Sequence, residues 1–295
     1  MTSSINRILA IALLAALGLS AAEAGAMAPR KGKKGRHEAA VAAPSRYEVL
    51  TGRDSVEMRG VMNVVQKGDT AYLEMPVGLM GRVFLVSNKL QQVPVELNEA
   101  SANRGINYEN QMVRFEWDRR VGKVKMRQQR VTPEAPSGSL MAASVADNYV
   151  DPLLATFAVE AVARDSSTVI IKVSDLFNGK QNVLNDVFNA INIGTSPVAE
   201  LSRIVSVKAY ERSVVALSEL TTRVTEGSSK VHLTVTVSTA LCLLPDVPMA
   251  TRREDWRVGY FSTPATRYDD RQQSVEHVNY ITRWRLEPAD TAAYL

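Results

Sequence analysis

From residue 231 to residue 238 the chain alternates strictly between apolar and polar positions. Val231, Leu233, Val235 and Val237 stand on one side, and His232, Thr234, Thr236 and Ser238 on the other. Successive side chains of a strand point to opposite faces, so this pattern predicts a long strand, over 231–244, with one face in a core and one in water. Residues 204–212 and 214–223 precede it as further β-rich runs. Val124 and Met126 alternate with Lys123, Lys125 and Arg127, and with residues 111–117 they predict a hairpin. Nearer the start, 61–66 and 71–75 flank Lys67-Gly68-Asp69-Thr70, a turn sequence between β-favouring runs, and 83–86 adds a short apolar strand. Strands are also expected over 157–163, 168–173 and 276–285.

Helices are expected between these runs. One short helix is read at 47–50, ending near Gly52. Ser174 or Asp175 is positioned to cap another through Phe177. A third is expected over 181–191, where Val183, Leu184, Val187, Phe188 and Ile191 recur at helical spacing. Residues 98–110 read as a polar loop, 139–148 as helical or irregular, and 149–154 as a turn. The fold class that follows is α+β: mainly antiparallel β-sheet with inserted helices, a small N-terminal β-hairpin unit over 46–97 followed by a larger β-rich domain over 98–295.

The N-terminal residues read as a processing signal over 1–24. A short segment carrying Arg7 leads into the apolar run 8–19, and Ala22-Glu23-Ala24 supplies the small-x-small pattern of a cleavage site. The run is shorter than a bilayer requires, so export to the periplasm or beyond is expected rather than a stable membrane span. Residues 25–45 form a basic linker without hydrophobic periodicity. Residues 1–43 carry six Lys/Arg and two acids, leaving 29 of each sign in the remainder. The folded part is neutral, which weighs against a basic nucleic-acid-binding domain. With Cys242 as the single cysteine no internal disulfide can form, and stability must come from the core.

No catalytic constellation emerges. A catalytic zinc needs three protein ligands and an open position. The three histidines are His37, in a His-Glu-Ala-Ala-Val context inside the linker, His232 on the polar side of a strand, and His277 in the late strand. None has a partner histidine at helical spacing. There is no G-x-S-x-G elbow, and Cys242 lies in an Ala-Leu-Cys-Leu-Leu run suited to an inert thiol. The acid pairs Glu254-Asp255 and Asp269-Asp270 read as solvated loop residues. Six basic residues between Arg119 and Arg130 are accounted for by a solvated strand face.

Several ordered motifs nonetheless form a series. They are Gly81-Arg82-Val83-Phe84-Leu85-Val86-Ser87, Asp151-Pro152-Leu153-Leu154, Val173-Ser174-Asp175-Leu176-Phe177 and Leu243-Leu244-Pro245-Asp246-Val247-Pro248-Met249. The last are Arg257-Val258-Gly259-Tyr260-Phe261-Ser262 and Ile281-Thr282-Arg283-Trp284-Arg285-Leu286-Glu287-Pro288. Over residues 47–290 this series resembles the accessory domains that precede the catalytic domain of bacterial secreted zinc metalloproteases of the met-zincin type. The resemblance implies a zinc-binding HExxH domain downstream, and no residue here matches that motif. Zinc is therefore expected only in a peptidase domain outside this sequence, and no cofactor, catalytic residue or metal ligand is assigned within it.

What the resemblance implies for function is a non-catalytic accessory, pro- or substrate-engaging region, truncated before the zinc-binding domain. Its expected partner is a metallopeptidase domain in cis or trans, or a second copy, with a protein or peptide as substrate. Trp256, Tyr260, Phe261 and Trp284 are the candidate seam with that partner. The alternative is an independent envelope or secreted binding protein that kept the scaffold without the enzyme.

Overall fold

The computed structural model describes residues 44–52, 56–98 and 102–286. The signal expected over 1–24, and nearly all of the linker, fall outside the described residues. Helix α1 (Arg46–Leu50) opens the fold with a complete capping box: the Ser45 hydroxyl accepts from the Glu48 N–H, and the Glu48 carboxylate accepts from the Ser45 N–H. Strands β1 (Val56–Met58), β2 (Asn63–Lys67), β3 (Thr70–Pro76) and β4 (Val83–Gln92) follow. Helix α2 (Val95–Asn98) leads to β5 (Asn107–Asp118), β6 (Lys123–Gln129), helix α3 (Leu140–Asn148), β7 (Leu153–Val162) and β8 (Thr168–Lys172). Then come α4 (Ser174–Phe177), α5 (Val187–Ala190), β9 (Arg203–Ala209), β10 (Ser213–Glu226) and β11 (Ser229–Leu243). The series ends with β12 (Ser262–Arg267) and β13 (Glu276–Ile281).

Eleven of these strands form one antiparallel sheet in the order β1-β2-β3-β8-β7-β6-β5-β4-β11-β10-β9. Its two ends approach each other. The Val61 N–H donates to the Tyr210 carbonyl at 2.8 Å, just past the end of β9. Gly60 permits that approach, because a Cβ there would overlap the Tyr210 backbone. The sheet is thus nearly closed, which leaves little bare edge. β3 and β4 are separated by only residues 77–82 in sequence but by four strands in the sheet. That connection crosses one end of the barrel, from Val77 bonded to the Ser167 carbonyl to Gly81 bonded to the Phe115 carbonyl, each at 2.8 Å. Val77, Leu79 and Met80 pack inward from it.

Alternation supplies the interior. Leu73 and Met75, Phe84 and Val86, Val113 and Phe115, Val124 and Met126, and Val169 and Ile171 are buried pairs two residues apart. Phe84 and Phe115 meet edge to face with centroids 5.9 Å apart. The segment from α4 to α5 enters this interior: Leu176, Phe177 and Leu184 join the main apolar cluster, and Val187 and Phe188 a second one with Leu90, Leu220, Leu233 and Val235. A chain of hydrogen bonds seats it. The Tyr108 hydroxyl donates to Asn185 Oδ1 at 2.9 Å, Asn185 Nδ2 to Thr239 Oγ1 at 2.9 Å, and Thr239 Oγ1 to Asn88 Oδ1 at 2.8 Å. Asn88 Nδ2 then donates to the Leu184 carbonyl at 2.7 Å. Burial pushes the Tyr108 phenol well above its usual range, so it stays a donor at any physiological pH.

Several expectations need correction. The helices are short and the molecule is mostly antiparallel β, so the α+β description overstates their share. The segment 46–97 does not form a hairpin unit apart from the rest: β3 pairs with β8, while β4 pairs with β5 and β11. Within 181–191 only Val187–Ala190 is helical, because Asn185 spends its amide on Tyr108 and Thr239 and holds the chain irregular before it. Ser174 does not cap α4. Val173 occupies that position, and the buried Ser174 hydroxyl accepts from the Ala71 N–H of β3. The loop expected over 98–110 already contains the start of β5, β7 begins inside the expected 149–154 turn, and the strand expected over 276–285 ends at Ile281.

Two outcomes follow from this architecture. Asn185→Leu leaves the Tyr108 hydroxyl unpaired inside the barrel and should cost about 3 kcal/mol in urea unfolding. Residues 44–97 expressed alone should show no cooperative thermal transition, since four strands of the later segment lie between β3 and β4.

Candidate functional site

The C-terminal hairpin stands apart from the barrel. β12 and β13 pair in register from Ser262 opposite Ile281 to Arg267 opposite Glu276. Arg253 bridges to Tyr280 on the outer edge of β13, and Glu134 bridges to Arg267 on that of β12. Val278 is the buried hydrophobic residue of this small sheet. The expected seam residues lie along it. Trp256 is 93 % exposed, Phe261 92 %, Trp284 88 % and Tyr260 51 %. Phe261 and Trp284 sit toward the same end of the hairpin, where the Thr282 N–H donates to the Phe261 carbonyl at 2.7 Å. Trp256 lies farther along, beside a groove of about 500 Å³ that it lines with Arg253, Glu254, Glu276, His277 and Asn279.

Polar groups around the groove are engaged with one another. Both Arg253 and Arg267 pair with Glu276, at 2.7 and 3.2 Å. Arg257 grips Asp255 at 2.6 Å, and that hydrogen-bonded pairing holds the Asp255 carboxyl below the usual carboxylate range. Glu254 accepts from the Ser262 hydroxyl, and Asp270 from the backbone N–H groups of Leu140 and Met141. Neither acid pair converges on a common point.

The other candidates are placed as follows. His232 accepts from Arg223 Nε across the β10–β11 ladder, His277 is exposed opposite Thr266, and His37 lies outside the described residues. Cys242 is partly exposed near the end of β11, and burial raises its thiol above the ordinary range, away from a reactive thiolate. Among the described residues no group of three His, Cys, Asp or Glu side chains is placed to supply the three ligands of a catalytic zinc. No helix among them is long and apolar enough to cross a membrane.

The basic run of β5 and β6 is partly paired in place. Lys125 pairs with Asp118, Arg127 with Glu116, and Arg114 with both Glu116 and Asp151. Partial burial works against the Glu116 anion, but Arg114 and Arg127 outweigh it and lower its pKa. Arg119 lies over the Trp117 ring, 4.4 Å from its centroid. Sequence reading could not see this, because Asp151 reaches Arg114 from 37 positions away.

A family model matches residues 105–289, more than half of the chain. The chain belongs to that family, described as Domain of unknown function (DUF5117). A second model, Domain of unknown function (DUF5118), matches residues 44–93. No curated protein and no solved structure matches the chain. The exposed hairpin lies within the DUF5117 match, while β1 to β4 lie within the DUF5118 match: β1 to β3 flank the DUF5117 strands at one end, and β4 is inserted among them between β5 and β11.

Two of the three tryptophans, Trp256 and Trp284, are thus in water, whereas Trp117 packs against the barrel core. Native emission should be red-shifted and strongly quenched by acrylamide. Replacing both exposed residues with Phe should leave a weaker, blue-shifted and quencher-resistant signal.

Proposed function

We propose that this chain is the non-catalytic accessory region of an exported zinc-dependent metalloprotease, and that it packs against the peptidase domain through its C-terminal hairpin. The observation that carries the reading is the near-complete exposure of Trp256, Phe261 and Trp284 in the segments flanking one small sheet. Large aromatic residues left in water are costly for a monomer, and they are the residue types that dominate binding energy at protein interfaces. Phe261 and Trp284 fall in the Arg257–Ser262 and Ile281–Leu286 motifs that carry the resemblance to the segment preceding the catalytic domain in those proteases, and Trp256 immediately precedes the first.

The physical role is to present a rigid barrel bearing an aromatic face, shaping the approach of a protein or peptide substrate to a cleft built elsewhere. The barrel contributes bulk and orientation, and the hairpin contributes affinity. The pairing of Arg253 and Arg267 with Glu276 fixes the backbone beneath the groove, so that little ordering is left for the moment of docking.

Calorimetric titration of the purified chain with an HExxH-bearing peptidase domain from a protease that has both N-terminal regions tests this. A one-to-one complex of roughly micromolar affinity or tighter is expected. Changing Trp256, Phe261 and Trp284 together to Ala should weaken it by about a hundredfold, in line with the loss of interface anchors. Heat release that is unaltered in the triple variant, or self-association alone by light scattering, defeats the reading.

A further inference from the structure

The aromatic hairpin is fastened to the rest of the molecule in an unusual way. Two excursions leave the barrel, residues 131–150 between β6 and β7 and residues 247–286 after β11. Neither contributes a residue to the three apolar clusters. The bonds that join them are polar, beside a cavity of about 250 Å³ that Val131 and Pro133 share with Pro264, Ala265 and Val278. Glu134 alone reaches both strands of the hairpin: its N–H donates to the Thr266 carbonyl at 2.8 Å, and its carbonyl accepts from the Tyr268 N–H at 2.7 Å. Its carboxylate accepts from the Tyr280 hydroxyl at 2.9 Å and faces Arg267 at 3.4 Å. Asp270, in the turn between β12 and β13, accepts from the N–H groups of Leu140 and Met141, each at 3.0 Å. Those N–H groups open α3, whose own N-cap, Ser139, satisfies Ala142. The two contacts hold the hairpin at its side and at its turn.

The attachment to the barrel is equally light. α3 has no buried residue. It does not pack onto β5 and β6: Ala142, Val145 and Tyr149 form one wall of a cleft of about 460 Å³ whose other wall includes Arg114 and Arg127. One excursion rejoins the barrel at Arg130, whose N–H donates to Asp151 Oδ1. The other departs beyond Leu244, bonded to the Val83 carbonyl at 3.0 Å.

We propose that residues 247–286 form a hinged arm, latched to the 131–150 excursion by Glu134 and Asp270, which swings away from it without unfolding the barrel and carries the exposed aromatic residues with it. Exposed hydrogen bonds and ion pairs contribute little net stability each, because water replaces them on opening. A unit held only by such contacts opens at lower free energy than one that shares a core. The aromatic face thereby has two presentations, arm closed and arm open. Its use as a regulated docking element rests on the function proposed above, whereas the latch does not.

Hydrogen exchange followed by mass spectrometry on the whole chain, without any partner, tests the latch. In Asp270→Ala, and more so in the double variant with Glu134→Ala, peptides covering 134–148 and 262–281 should exchange at least about tenfold faster, as expected for a lowered local opening energy. Peptides from β4 and β11 should keep their native rates, and the main thermal transition should stay in place. Exchange that rises in the barrel strands together with the arm overturns the proposal, because the arm would then be part of the same cooperative unit. Unchanged exchange across the arm in the double variant overturns it as well. Since no peptidase domain enters the measurement, a failure to bind one bears on the docking reading and not on this result.

Discussion

Four buried polar side chains hold the barrel around its contents. The run from Tyr108 through Asn185 and Thr239 to Asn88 joins β5, the segment inside, β11 and β4. An unpaired polar atom in that setting is expensive, and a fully paired series is specific, because each donor has one acceptor in the correct place. The segment from α4 to α5 could fill the same volume in other registers if only its leucines and phenylalanines were counted. With Asn185 fixed at two ends and the Leu184 carbonyl held by Asn88, only one register satisfies every group. The apolar residues of both interior clusters then take their positions from this one.

The two family segments are interleaved in space. β1, β2 and β3 sit at one end of the sheet, β4 lies beyond four intervening strands, and those strands come from the later segment. The crossing at 77–82 makes this possible, and its apolar side chains close one end of the core. A boundary visible in sequence families is therefore not a boundary in the hydrogen-bonded sheet. The main apolar cluster takes residues from both sides of that boundary, so neither segment has a complete core of its own.

Much of the strand pattern was legible because alternation is local. The 231–244 run became β11 almost to the residue, and the hairpins at 61–75 and 111–127 became β2–β3 and β5–β6. What could not be read was partnership, which depends on residues far apart in sequence. Nothing in the text near Asp151 announces that it will neutralise Arg114, and nothing near Asn185 announces Tyr108. The helical spacing of 181–191 misled for a related reason: Leu184, Val187 and Phe188 are buried because they lie inside a barrel, not because one face of a helix is apolar. At the C-terminal hairpin the aromatic residues were visible in the text, but their support was not. Glu134 and Asp270 take their roles only from groups more than a hundred positions away.

The separation of β3 from β4 carries a consequence for synthesis. When residues 56–92 leave the ribosome, β1, β2 and β3 have one another, but β3 still lacks β8 and β4 lacks both its neighbours, the second of which, β11, is translated last of the barrel strands. Pairings of such long sequence separation lose much loop entropy before they gain contacts, so folding should be slow and concentrated after chain completion. For most of its time as a nascent polypeptide this molecule cannot close its barrel, because the last barrel strand, β11, has yet to arrive.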